Sequence, residues 1–132
     1  MSASRAVITA GALVLGLLVP VLELNATHLL NPEWPGHARL HEAWQLASNA
    51  ALSAVCLWLA WKKGETRLAA GLQFCLVGGF LLAHGLSASY GGTMRHSDGT
   101  ELAVLGVNVA VLVMLMLAAA LLPVVLRRPQ AA

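Results

Sequence analysis

The chain is short of charge. Lys, Arg, Asp and Glu make up 11% of its 132 residues, under half of the roughly 25% usual in soluble domains. Six acids against eight Lys and Arg leave a net charge of only +2. No basic run interleaves with aromatic side chains, so nucleic acid is not an expected partner. Aromatics are scarce too, at 5%. The two cysteines, Cys56 and Cys75, lie in separate apolar runs without a CxxC spacing. That argues against thiol redox chemistry and leaves each as a small core hydrophobe. The ten-residue polar–apolar alternation of a membrane barrel is also missing.

What is plentiful is hydrocarbon: 58% of residues are apolar and the mean hydropathy is +0.74. Four apolar segments, 6–27, 37–61, 68–87 and 102–126, each supply the ~20 residues needed to cross a ~30 Å hydrocarbon core. The expected fold is all-α, an integral-membrane four-helix bundle forming one domain over 1–132. The apolar run after Arg5 exceeds the ~7–15 residues of a signal-peptide core and no A-x-A site closes it, so it reads as a retained first helix. Pro20 should bend that helix one turn before Glu23.

Orientation follows from the basic residues. Arg5, Lys62, Lys63, Arg67, Arg127 and Arg128 fall on the side of both termini, and only Arg39 and Arg95 on the other. That bias predicts cytoplasmic termini in a bacterial inner membrane. Trp58 and Trp61 then suit one interfacial belt, and Trp34 and Trp44 the other.

All five histidines, His28, His37, His41, His84 and His96, collect in the opposite, non-cytoplasmic connections and helix ends, with Glu23, Glu33, Glu42, Asp98 and Glu101. Titratable groups near lipid are expensive, which makes such a one-sided collection a functional-site hypothesis. Pro32 and Pro35 bias the residues before them away from helix, so a corner should separate helices 1 and 2. His37 and His41, four apart, share a helix face, and Trp44, Gln45 and Ser48 extend it. Such a polar stripe should face the bundle. Glu23, His84 and Asn108 lie at matching depth, and Glu101 and Asn108, seven apart, would share a face of helix 4.

The pattern predicts a pocket formed by Glu23, His41, His84 and Asn108. A carboxyl in apolar surroundings favours its neutral form and can hand over a proton. Histidine is the natural partner, since it titrates near neutrality. Glu23 would act with His41, His37 and His84 would position substrate or relay protons, and Asn25, Trp34, Trp44, Gln45 and Asn108 would line the site. The chemistry would be isomerisation or cyclisation of a hydrophobic, lipid- or terpenoid-like molecule, with no cofactor. Three alternatives stand beside it. One is a transition metal held by His37, His41, His84 and Glu23. Another is a haem between His41 and His84. The third is a non-catalytic lipid or ligand binder, or a subunit of a membrane complex. Small residues including Gly11, Gly16, Gly71, Gly78 and Gly79 would permit close contacts within a chain or a homo-oligomer. His28 and His96 read as solvated interfacial residues, and Asp98 and Glu101 as acids ending the loop and starting helix 4.

The run Asn31-Pro32-Glu33-Trp34-Pro35-Gly36-His37-Ala38-Arg39-Leu40-His41 resembles a family of small four-helix membrane proteins of bacteria and fungi. Their shared mark is an N-P-x-W-P-x-H-A-[RK]-x-H corner after helix 1. The resemblance implies a common fold and topology and conveys no activity. A looser similarity is to the EXPERA group of sterol isomerases and sigma-2-like receptors, helical bundles with acidic and aromatic residues around an intramembrane sterol or amine pocket. That similarity implies comparable roles for Glu23, His41 and Trp44 by analogy of fold.

Overall fold

Helix α1 (Ala3–Glu23) starts at Ser2, whose hydroxyl accepts the Arg5 amide. Pro20 has no N–H to give the Gly16 carbonyl. The helix widens just before it into a π-helical stretch, Val14–Leu18, where the Val19 amide returns to the Val14 carbonyl. The helix ends at Glu23 rather than near residue 27. Asn25 Nδ2 donates to the Leu22 carbonyl at 2.5 Å, and its Oδ1 accepts the Thr27 amide at 2.7 Å. Side-chain bonds of this kind compete with the helical ladder. These features belong to a computed structural model, which describes residues 1–127; Arg128 lies outside the described residues.

Helix α2 (Gly36–Lys63) follows Pro35 directly. It closes in a π-helical turn, Leu59–Lys63, capped by left-handed Gly64 with φ +75°, a conformation glycine adopts without steric cost. Helix α3 (Thr66–Gly85) leads into a single helical turn, Ser87–Tyr90, and then a polar loop. Helix α4 (Val109–Val125) completes the bundle. Among the described residues, α1, α2 and α3 are long and apolar enough to cross a membrane, whereas α4 has 17 residues.

The expectation of a helix from residue 102 is corrected. A two-stranded antiparallel hairpin, β1 (Ala103–Val104) with β2 (Val107–Asn108), precedes α4. Leu105 and Gly106, with φ +51° and +78°, make its turn, and Asn108 caps α4 by accepting the Ala110 amide at 2.9 Å. Two successive positive φ values are the pattern of a type I′ turn, which favours Asn-Gly. Leu105, fully exposed, has no packing to offset its left-handed backbone. Leu105→Asn is expected to stabilise the hairpin by about 1 kcal/mol, read as slower exchange of the Val109 amide, which bonds the Leu102 carbonyl.

The core joins Ile8 and Leu15 of α1, Cys56 and Ala60 of α2, Ala69 and Val77 of α3, and Met114 and Leu121 of α4. The α1–α2 and α3–α4 contacts are the most extensive. Cys56 is buried and its thiol donates to the Ala69 carbonyl, whereas Cys75 is exposed and so is not the core residue expected. Gln73, wholly buried, donates from Nε2 to the Ile8 carbonyl at 2.9 Å and packs on Gly11. Gly16 packs on Ser53 in the same way. Gly71, Gly78 and Gly79 border open space.

At the end carrying both termini, basic groups meet helix-terminal carbonyls, where the helix dipole is negative. Arg5 Nε donates to the Ala60 carbonyl at 3.1 Å and Arg67 Nε to that of Val125 at 3.0 Å. Arg127 reaches Ser4 Oγ at 2.9 Å. Arg5 also lies over Trp61, and Lys63 over Trp58.

Candidate functional site

The other end is built from two connections, residues 24–35 and 86–108. The first turns on Asn31, only 3% exposed. Its Oδ1 accepts the Glu33 amide at 2.9 Å and its carbonyl accepts the Trp34 amide at 3.3 Å. This Asx turn, followed by Pro32 and Pro35, makes the corner before α2.

Glu23 sits at the last residue of α1. Its Oε2 lies 3.4 Å from His28 Nε2, with the two side chains 27% and 20% exposed. Local hydrogen bonds assign the protonation of the imidazole. Asn25 Nδ2 is committed to the Leu22 carbonyl, so Oδ1 is the atom facing Thr27 and can only accept. The 2.7 Å contact from Thr27 Oγ1 must therefore use the hydroxyl proton. Both oxygens then show lone pairs to His28 Nδ1, at 2.9 and 3.2 Å, and Nδ1 must carry the hydrogen. The neutral ring thus keeps its free lone pair on Nε2, the atom next to Glu23.

The second connection repeats the device. The Thr100 hydroxyl donates to Asp98 Oδ1 at 2.6 Å, leaving its lone pairs to face His96 Nδ1 at 3.2 Å. Bonds from the Thr100 side chain and amide hold the Asp98 carboxyl below its usual range. The two connections meet through these histidines. The His28 and His96 rings pack edge to face at 4.8 Å, Trp34 lies 6.3 Å from His28, and Ser97 Oγ donates to the Thr27 carbonyl. Glu42 of α2 is within electrostatic reach of Glu23.

Burial, and then the charge of neighbouring His96, push His28 below the usual histidine value of 6.5, with Asp98 pulling the other way. A base depressed in the folded state contributes stability above its unfolded value, and that contribution is lost as pH falls through its folded value. The corner is expected to loosen on acidification below about pH 6.5. The thermal midpoint of the detergent-solubilised protein should drop between about pH 7 and pH 5, and drop less in His28→Gln. Equal drops in both would remove His28 from this role.

The remaining predicted residues lie elsewhere. His37 and His41 pair with each other, Nε2 to Nε2 at 3.0 Å, on an exposed face of α2, with the Trp44 ring 5.9 Å from that of His41. Trp44 and Gln45 are exposed as well. The stripe faces outward because Leu46, Ser53 and Cys56 form the buried face of α2, and a helix turns only one face to the core. His84, half-buried on α3, lines a separate cavity of about 220 Å³ with Phe80, Ser87, Tyr90 and Thr93, and its Nδ1 has no hydrogen-bond partner among the described residues. Asn108 is a helix cap. It also donates to Glu101 at 3.2 Å, a contact made across the hairpin rather than along one helix face.

Among the described residues, no three His, Cys, Asp or Glu side chains are grouped to hold a metal. The set His37, His41, His84 and Glu23 is therefore not assembled, and His41 is engaged with His37 and Trp44 rather than with His84. The residues that sequence reasoning passed over are His28, His96, Thr27 and Thr100. Their signal was a threonine and an Asn or Asp within four residues of each histidine, in Asn25-Ala26-Thr27-His28 and in His96-Ser97-Asp98-Gly99-Thr100. No family model, curated protein or solved structure matches the chain.

Proposed function

We propose that this protein is a small integral-membrane enzyme that moves a proton on a hydrophobic, lipid- or terpenoid-like molecule, isomerising or cyclising it. The observation that carries this reading is the 3.4 Å contact between Glu23 and the bare Nε2 of His28. Such chemistry needs an acid and a base that can exchange roles, held in partly dry surroundings. Glu23 and His28 form that couple, and Asn25 and Thr27 hold the imidazole in the form that can accept. His28 takes the part that sequence reasoning gave to His41. Half-buried Trp34 supplies an apolar wall beside the couple. An apolar groove of about 300 Å³ runs along α1, lined by Leu13, Leu17 and Val21, and suits a hydrocarbon ligand. The basic-residue bias supports a position for this end on the non-cytoplasmic face of a bacterial inner membrane.

A second reading, a ligand-binding or accessory subunit without turnover, draws support from the outer face of α2. Leu40 and Trp44 are 65% and 66% exposed there, and a partner chain or second copy would cover them.

The test works without a named substrate. Membranes with and without the protein are incubated in deuterated buffer, and the extracted hydrophobic molecules are compared by mass spectrometry. The enzyme reading expects carbon-bound deuterium in a species labelled only when the protein is present. Identical labelling in the two membranes would sink it.

A further inference from the structure

The Glu23–His28 corner leaves the second histidine pair without a role. His37 and His41 stand in the first two turns of α2 and are exposed. Their Nε2 atoms are 3.0 Å apart and their rings nearly perpendicular, at 84°. A metal bonded to two imidazole nitrogens at about 2.0–2.1 Å in adjacent square-planar positions sets those nitrogens about 2.9 Å apart, and a tetrahedral metal sets them about 3.3 Å apart. The observed separation matches the square-planar chelate. Square-planar nitrogen sites suit Cu(II), which also stands at the top of the affinity order for first-row divalent ions.

We propose that His37 and His41 form a two-histidine chelate for Cu(II) at the outer start of α2, independent of the Glu23–His28 couple. The site uses two protein ligands, not the four-ligand set suggested by the sequence, and water fills the remaining positions. In the metal-free protein the 3.0 Å contact is a hydrogen bond, with one ring donating from Nε2 and the other accepting there. On binding, the donor ring's hydrogen moves to its Nδ1 through solvent. Both Nε2 lone pairs then bond the metal, and no net proton is released from the neutral pair. The i, i+4 spacing on a regular helix holds the two rings on one face, so little ordering is left to the metal. Trp44 lies within 5.9 Å of His41, close enough for bound paramagnetic Cu(II) to quench its fluorescence.

The test is Cu(II) titration of the full chain in detergent, followed by tryptophan emission and electron paramagnetic resonance. The wild type is expected to bind one Cu(II) with two nitrogen donors in its hyperfine pattern, and Trp44→Phe to lose most of the quenching. His37→Gln and His41→Gln should each weaken binding by at least about tenfold, the lower end of what losing even a supporting contact of a metal ligand costs, and remove one nitrogen from the spectrum. His84→Gln should leave both unchanged. Both substituted rings are exposed, so the helix is expected to keep its circular dichroism. Failure of the wild type to bind one equivalent, or an unchanged affinity and spectrum in His37→Gln, would overturn the proposal.

Discussion

Glu23→Gln is expected to lower solvent-deuterium transfer to the labelled species by about 10²- to 10⁴-fold, the usual contribution of a positioned acid or base. Glutamine keeps the length and shape of the side chain but cannot exchange a proton. The fold at the end of α1 should survive, because the side chain of Asn25, not that of Glu23, makes the bonds to Leu22 and Thr27 that end the helix. His28→Gln should fall by a similar factor. The double variant should be little worse than either single one, because residues acting as one unit are not additive. Thr27→Val gives an intermediate test. It removes the nearer of the two acceptors that face His28 Nδ1, leaving only Asn25 Oδ1 to hold the hydrogen there, and should shift the pH profile of transfer as well as its rate. Loss of transfer in His41→Gln but not in His28→Gln would restore His41 as the partner of Glu23 and overturn this assignment.

Gly16→Ala is expected to destabilise the bundle by about 1–3 kcal/mol, the range for overpacking a tight core. The sign is what makes it informative. Within a helix, alanine is ordinarily favoured over glycine by up to about 1 kcal/mol. Here a Cβ on residue 16 would stand 2.5 Å from Ser53 Cβ and 3.6 Å from Ala50 Cα. Neither atom can swing aside, so α1 and α2 must separate. Ser53→Gly removes the nearer atom and should recover most of the loss when combined with Gly16→Ala, as a double-mutant cycle would show. Ser53→Ala keeps its Cβ and should not. The measurement is unfolding of the detergent-solubilised chain, and a Gly16→Ala variant as stable as the wild type would disprove the close contact.

Much of the architecture is legible in the residues alone. The three long apolar helices, the short connection between α2 and α3 flanked by basic residues, and the gathering of histidines at one end all appear where hydropathy and charge put them. The start of helix 4 is not legible in this way. Leu102, Ala103, Val104, Val107 and Val109 are apolar enough to join a helix, yet Gly106 and the capping side chain of Asn108 turn the first part into a hairpin. The end of helix 1 differs from expectation for a related reason, since the Asn25 side chain is spent on the nearby backbone groups of Leu22 and Thr27.

The candidate site shows the same division. Glu23 stands out as a carboxyl near the end of an apolar segment, and cost of burial is a property that a single residue and its neighbours express. Its partner does not stand out. His41 and His28 are both within reach of Glu23 along the chain. The choice between them rests on the rotation of α2, which turns His41 outward, and on the fold of the corner, which brings His28 back to 3.4 Å. The sequence by itself determined how many apolar helices form and at which end the titratable groups gather, because hydrophobicity and charge act residue by residue. Only the tertiary structure decided which of those groups touch, because helix rotation and loop path depend on contacts between segments far apart in the chain, such as Gln73 with Ile8, Ser53 with Gly16, and His96 with His28.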